Sequence, residues 1–304
     1  MNILRYLVDN PNLIAFDNTN IINNAGVKIV NNHILFEQEK EFFVYLDNFD
    51  RFEELVFDVK KETNVKIYLL TYQSHFIKIK YKFNLDNLAK VELFTNFMAR
   101  RKTKADINLD FDLKTKADLS LLNALSFKGK INMSTSVLLN GIESKVNMEV
   151  LNIGKDSSES FVKQSIYHNE ISTQSHINNW LIATDNAKLS YSVSGSIAKT
   201  KEFSKCHQSN KGIMLSDGCA ITVEPVLLID EYNVEASHGA AIGQMDELQL
   251  YYLQSRGLNE QEAKSLIISG YTTPFIHMIK DKDVALQLTS QISRLIGRKI
   301  YNEW

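Results

Sequence analysis

The sequence predicts a mainly β fold, a stack of parallel β-coils followed by a C-terminal helical domain, and three observations support this. From about Gly26 to about Ala236 apolar residues recur at every second position, which places them on one face of a strand. No helical crossover interrupts that stretch, and after Gly243 the period becomes that of a helix. Proline is confined to positions 11, 225 and 274 and glycine is sparse, so the turn punctuation of a hairpin-rich sandwich is missing. A sandwich or a closed barrel stays open on periodicity alone, but a parallel β-helix fits better, because it consumes its strand edges along the stack. No clean repeat marks its coils.

Residues 1–24 read as a short N-terminal cap. The apolar run in MNILRYLVDNPNL ends at Asp9, Asn10 and Pro11, too soon for a secretory signal. Residues 25–240 form the β core. Its clearest alternation is Ile107, Leu109, Phe111, Leu113; others are Val65, Ile67, Leu69, then Ile77, Ile79, Tyr81, Phe83, then Ile131, Met133, then Val146, Met148, Val150. The residues between them are mostly Lys, Asn, Asp, Ser and Thr, as a strand with one wet face requires.

Residues 241–304 are helical. Leu248, Tyr251, Tyr252 and Ser255 share a helical face that stops at Gly257, a left-handed cap residue. Asn259 and Glu262 form a capping box for a second helix, with Ala263, Leu266 and Ile267 inward and Gly270 at its end. A third helix starts near Asp281; its stripe of Val284, Leu288, Ile292, Leu295 and Ile296 leaves Lys282, Gln287, Gln291 and Arg294 for solvent or a partner. Such helices are expected to cap the open end of the stack, a role compatible with partner docking.

Of 304 residues, 44% are hydrophobic and 23% charged, an ordinary globular composition. With 34 basic and 36 acidic residues the chain has no net field for a polyanion, so no nucleic-acid partner is implied. No apolar run approaches a bilayer span, and a cytoplasmic location with no membrane partner is expected. Two cysteines, Cys206 and Cys219, are too few for a disulfide-built scaffold.

The segment VEASHGAAIGQMDELQLYYLQSRG, Val234–Gly257, leads from a strand into a glycine-bounded turn carrying His238 and then into a helix. Ser237 and His238 are neighbours on extended backbone and point to opposite faces, which argues against a hydrolase pair. Gly239–Gly243 lacks the spacing and the lysine of a phosphate loop, and no Walker motif occurs elsewhere, so any nucleotide-driven step falls to a partner. Neither HExxH nor CxxC is present, which removes a zinc signature.

What remains is a dispersed set of ligands: Cys206 beside His207, then Cys219, Glu235 and His238. Thiolate and imidazole are the side chains that hold iron. Cys219 and His238 stand 19 residues apart; a coil of that length would set them on adjacent coils at roughly 4.8 Å, able to share one iron. The alternative is that Cys219 is a small buried hydrophobe and His238 a hydrogen-bonded turn residue. A thiol enzyme using Cys219 with His238 is a further reading, and a carbohydrate-binding β-helix another. Cys206 reads as packing, and His33, His75, His168, His176 and His277 as structural or surface.

The motifs GIMLSD, CAITVEPVLLIDEYNVEASHG, SHGAAIGQMDE and YYLQSRGL closely resemble the C-terminal signature of the SufB/SufD family of iron–sulfur cluster assembly scaffolds, with a SufD-like turn. The resemblance covers the C-terminal third, from about Gly212, and is architectural upstream. It implies a right-handed parallel β-helix core with C-terminal helices. It further implies a non-enzymatic scaffold that pairs with a SufB-type paralogue, or with a second copy, and binds a SufC-type ABC ATPase.

His238 would then lie at the subunit interface, with Glu235 beside it, and assemble a transient iron–sulfur cluster. Cys219 matches a SufB position implicated in accepting sulfur or binding the cluster, a thiol that SufD-type chains commonly lack. A SufB-like or self-dimerising scaffold holding iron through Cys219 and His238 is therefore the alternative the resemblance leaves. The helices from Asp246 to about Ile300 would dock the ATPase, with Asp246, Leu248, Tyr252, Arg256 and Glu262 at the contact. Against the longer helical N-terminal domain frequent in the family, residues 1–24 would be a vestige. Flavin has no sequence mark here.

Overall fold

The computed structural model describes residues 9–16, 20–47, 53–73, 76–99, 103–126 and 128–296. One sheet holds β1 (Leu13–Phe16), β2 (Ile21–Asn23), β5 (Lys40–Asp47), β7 (Asn64–Gln73), β9 (Lys90–Ala99), β11 (Asp118–Ser126), β13 (Lys145–Gly154), β15 (Gln174–Ala183), β17 (Lys205–Met214) and β19 (Glu235–Gln244). The facing sheet holds β3 (Lys28–Val30), β4 (His33–Phe36), β6 (Glu54–Val59), β8 (Ile77–Leu85), β10 (Thr103–Leu113), β12 (Gly129–Leu139), β14 (Glu159–His168), β16 (Lys188–Ile197) and β18 (Ala220–Ile229). Every strand from β4 onward pairs in parallel with the strand two places along the chain, so the chain winds as a parallel β-solenoid with one strand of each sheet per coil.

Alternation determines which side chains line the lumen. In β10, Ala105, Ile107, Leu109, Phe111 and Leu113 are buried while the residues between them stay partly exposed. Stacking repeats the same chemistry from coil to coil: Phe83 lies 4.4 Å from Phe57 and 5.0 Å from Phe111, rings nearly parallel. Of residues 1–24, expected to form a cap, 1–8 and 17–19 lie outside the described residues, while Leu13–Phe16 forms β1, which pairs in parallel with β5 as part of the sheet.

Lys90, Asp118 and Lys145 stack in one column 28 and 27 residues apart, and toward the last coil, through Gln174, Lys205 and Glu235, the spacing widens to 29, 31 and 30 residues. The coil length of 19 is therefore corrected: each coil carries two strands and two corners. One corner recurs with a residue of positive φ followed by a small buried one: Glu62–Thr63, Leu88–Ala89, Lys116–Ala117, Glu143–Ser144, Ser172–Thr173 and Phe203–Ser204. Left-handed backbone costs a non-glycine residue roughly 1–2 kcal/mol. Here each such N–H donates to a carbonyl of the next coil, for example Leu88 to Thr115 at 2.9 Å and Phe203 to Asn233 at 2.7 Å. These bonds hold the corner without glycine, which is why the repeat is hidden.

Three helices follow: α1 (Glu247–Ser255), α2 (Glu260–His277) and α3 (Lys282–Ile296). The Asn259–Glu262 capping box is present, and Gly257 is left-handed at φ 97°. The helix expected to stop at Gly270 continues to His277 with Pro274 inside it, because Phe275 and Ile276 bury against the sheet. Leu266, assigned inward, is exposed.

The helices do not cap the stack. Ile268, Phe275, Val284, Leu288 and Ile292 form a second core with Tyr68, Phe94, Leu151, Ile182 and Ile213 on the outer face of the ten-stranded sheet. Gln291, assigned to solvent or a partner, accepts from Asn96 Nδ2 of the sheet at 3.0 Å. No described helix is long and apolar enough to cross a membrane.

Candidate functional site

With the helices on the flank, the last coil ends the stack open. β18 and β19 are the terminal strands of their sheets, each 10 residues long. Along β19 every residue is exposed except the half-buried Ile242. On β18, Val226 and Leu228 are exposed, and Pro225 and Leu227 half-buried. Among the described residues, nothing pairs with these two edges or covers the lumen between them. Pro225, which removes one backbone donor, sits on a terminal strand as expected.

The stretch read as a glycine-bounded turn is part of β19. Gly239 and Gly243 have no positive φ, and a Cβ on either would meet nothing within 4 Å, so both are plain extended positions on an open edge. His238 occupies the middle of this strand and pairs in register with Gln208 of β17. Its row faces the lumen: Gln208, Asn210 and Gly212 below it are buried, and Ile242, on the same face of β19 and paired with Gly212, packs against the lumen core.

The other members of the expected ligand set are not brought to His238. Cys219 lies at the corner before β18, buried, and its Sγ donates to Ser216 O at 3.0 Å and Ala183 O at 3.4 Å. The equivalent corner positions one and two coils below are Ala187 and Ser158, so Cys219 fills a place reserved for small residues. It belongs to the corner leading into the nine-stranded sheet and His238 to the ten-stranded one, so the two are not neighbours on adjacent coils. Glu235 begins β19 with the opposite parity to His238, on the outer face; Lys205 Nζ donates to it at 2.8 Å and holds its carboxyl below the usual range. Among the described residues no three His, Cys, Asp or Glu side chains converge as a metal site.

Two features of the lumen escaped sequence reading. A ladder of carboxamides runs up to the open end: Gln164 and Asn179 exchange bonds at 2.8 and 3.0 Å, Asn179 donates to Asn210 at 2.8 Å, and Asn210 donates to Gly239 O, next to His238, at 3.0 Å. The signal was polar residues falling on the apolar phase of the alternation. Beside the ladder, buried His168 is bonded at Nδ1 to Thr173 and at Nε2 to Ser175, and burial depresses its pKa to about 4. Ser175 also hydrogen-bonds Cys206, whose thiol burial pushes up. On the outer face His176 and His207 stack with ring centroids 4.7 Å apart, and His207 Nδ1 lies 2.8 Å from Ser237 Oγ.

Helix α1 buries none of its residues; Leu248, Tyr251 and Tyr252 are 78%, 72% and 54% exposed. Asp246 Oδ1 accepts from Leu248 N at 2.9 Å as its N-cap, and Glu262 Oε2 accepts from Asn259 N at 2.9 Å in the capping box. Both carboxylates are thereby committed to helix ends. Arg256 stacks on Tyr252 at 5.3 Å.

Residues 47–271 match the family model of the SUF system iron–sulfur cluster assembly SufBD core domain. The chain is 33% identical over 141 residues to the iron–sulfur cluster assembly protein SufD of Bacillus subtilis (strain 168), a stretch covering 46% of this chain and 32% of that protein. It is 24% identical over 161 residues to the SufD of Escherichia coli (strain K12), covering 53% and 38% respectively. An iron–sulfur cluster assembly SufBD family protein of Archaeoglobus fulgidus is 46% identical over 67 residues, 22% of this chain and 18% of the relative. The matched stretches thus span between 18% and 38% of these relatives.

Proposed function

The chain belongs to the SufBD family, and from that membership we propose that it is a scaffold subunit in iron–sulfur cluster assembly, without catalytic chemistry of its own. The observation that carries this reading is the open final coil, with His238 centred on β19 at the mouth of the lumen. Two free strand edges beside half-buried apolar residues form a surface that pairs with another β-solenoid, as exposed edges do. A SufB-type paralogue is the proposed partner. A second copy of this chain presents the same edges, and closed two-fold pairing suits it equally.

The cluster is cargo at this seam. His238 presents one imidazole to it, a borderline ligand suited to iron. Cys219 is buried and hydrogen-bonded to carbonyls, and Glu235 is paired with Lys205 on the other face, so the remaining ligands come from the partner. A thiol enzyme built on Cys219 and His238 has no support in this geometry.

Helix α1 is the proposed docking point for a SufC-type ABC ATPase. Leu248, Tyr251, Tyr252 and Arg256 supply its face, while Asp246 holds the start of α1 and Glu262 the start of α2. Solution in the cytoplasm follows from such partners.

Co-expression with the paralogue and the ATPase, followed by iron and sulfide assay of the purified complex, tests the reading. His238→Ala is expected to lose cluster while the three subunits still co-purify. Wild-type cluster content in that variant contradicts it.

A further inference from the structure

Gln208 lies directly beneath His238, one coil down, on the same lumen-facing row. Paired residues on neighbouring parallel strands are roughly 4.8 Å apart, which leaves two side chains of this length within hydrogen-bonding reach. Gln208 is buried, yet its Oε1 has no hydrogen-bond partner among the described residues. Buried carbonyl groups are rarely left so, and each case calls for a donor.

The orientation of this amide is fixed. Gln208 Nε2 donates to Val226 O at 3.2 Å, and that acceptor cannot be served by the carbonyl end. A side chain at Gly195 would stand 3.2 Å from Nε2 and 2.3 Å from Cys206 Sγ, so the glycine makes room for the amide where it lies. Oε1 is the end left over. The other polar groups in this part of the lumen are engaged elsewhere: Cys206 with Ser175, and Asn210 with Asn179 and Gly239. In the last coil the residues on either side of His238 in the row are Ala236 and Ala240, stacked over Cys206 and Asn210. Both are small, so nothing bulky in the strand prevents the ring from turning inward.

We infer that Gln208 is a positioning residue for His238: its Oε1 accepts a hydrogen bond from the Nδ1–H of the imidazole. The bond satisfies the orphaned carbonyl and fixes the ring as the Nδ1–H tautomer. Nε2 is thereby left unprotonated, its lone pair directed out of the open end. The hydrogen bond made by one ring nitrogen sets which nitrogen is free to bind, and histidine ligands are ordinarily held in this way by a group outside the ligand set. The inference rests on the reading of His238 as the residue offered to the cargo at the seam, and its test is independent of that cargo.

The test is a long-range nitrogen–proton correlation spectrum of the full chain labelled with 15N-histidine, recorded above the histidine titration range, with His238→Ala identifying the signal. In wild type His238 is expected as the Nδ1–H tautomer, against the Nε2–H preference of free histidine. Gln208→Leu, which cannot accept, is expected to return it to Nε2–H, and Gln208→Glu, which can, to retain Nδ1–H. A melting curve of each variant shows that it is folded. An Nε2–H signal in wild type overturns the inference even if no variant folds, and so does an Nδ1–H signal that persists in folded Gln208→Leu. Normal cluster content in His238→Ala defeats the seam reading alone and leaves the tautomer result standing.

Discussion

Gly195 and Cys206 interlock inside the lumen: a Cβ on Gly195 would stand 2.3 Å from Cys206 Sγ. Nothing about the backbone of Gly195 demands glycine, since it lies inside β16 with no positive φ. Space alone requires it. Gly195→Ala is expected to destabilise the fold by about 1–3 kcal/mol through overpacking. Cys206→Ala removes the atom it strikes, so the double variant is expected to recover most of the loss, and denaturant titration of the four proteins reads the coupling.

His168 gives the fold a pH dependence. Its pKa is about 4 when folded, against 6.5 for an ordinary histidine, because burial disfavours the charged ring. The unfolded chain binds a proton there before the folded one does, so stability is full above pH ~6.5 and falls as pH drops toward 4. The loss reaches about 3 kcal/mol over that window. Melting temperatures between pH 7 and 4.5 are expected to fall more steeply for wild type than for His168→Gln, which carries no titrating ring.

Cys219 acts as a corner filler, so Cys219→Ala is expected to fold with stability changed by less than about 1 kcal/mol, as befits a site where the coil below carries Ala187. Both thiols are buried. Alkylation of the folded protein is expected to be slow at each cysteine and to accelerate only in denaturant; rapid labelling of Cys219 in the native state contradicts the assignment.

Much of the fold is legible in the sequence. Alternation such as Ile107–Leu113 is unambiguous because one face of each strand meets the lumen core. The coil length is not, because its corner residues are Leu88, Lys116 and Phe203 where a reader looks for glycine, held left-handed by bonds to the next coil. The side on which the helices pack is equally hidden: Tyr68, Phe94 and Leu151 show their outward role only once the strands are in register. Of the site, His238 stands out by resemblance. Its partner Gln208 is a polar residue on a buried phase and carries no motif.

Leu248 and Tyr252 of helix α1 are exposed, so charge can be placed at these two positions at little cost to the fold. Leu248→Asp and Tyr252→Asp are expected to leave the melting temperature within about 2 °C of wild type and to abolish co-purification of the ATPase. Retained binding by both variants shows that the ATPase docks elsewhere.

The central proposition is that the last coil is the seam with another β-solenoid. Hydrogen exchange of this chain, alone and mixed with the SufB-type partner, reads it strand by strand. New protection is expected in Ala220–Ile229 and Glu235–Gln244, whose outward amides are free until a partner strand pairs with them. A complex in which those amides exchange as fast as in the unpaired chain, with protection appearing on another face, contradicts it.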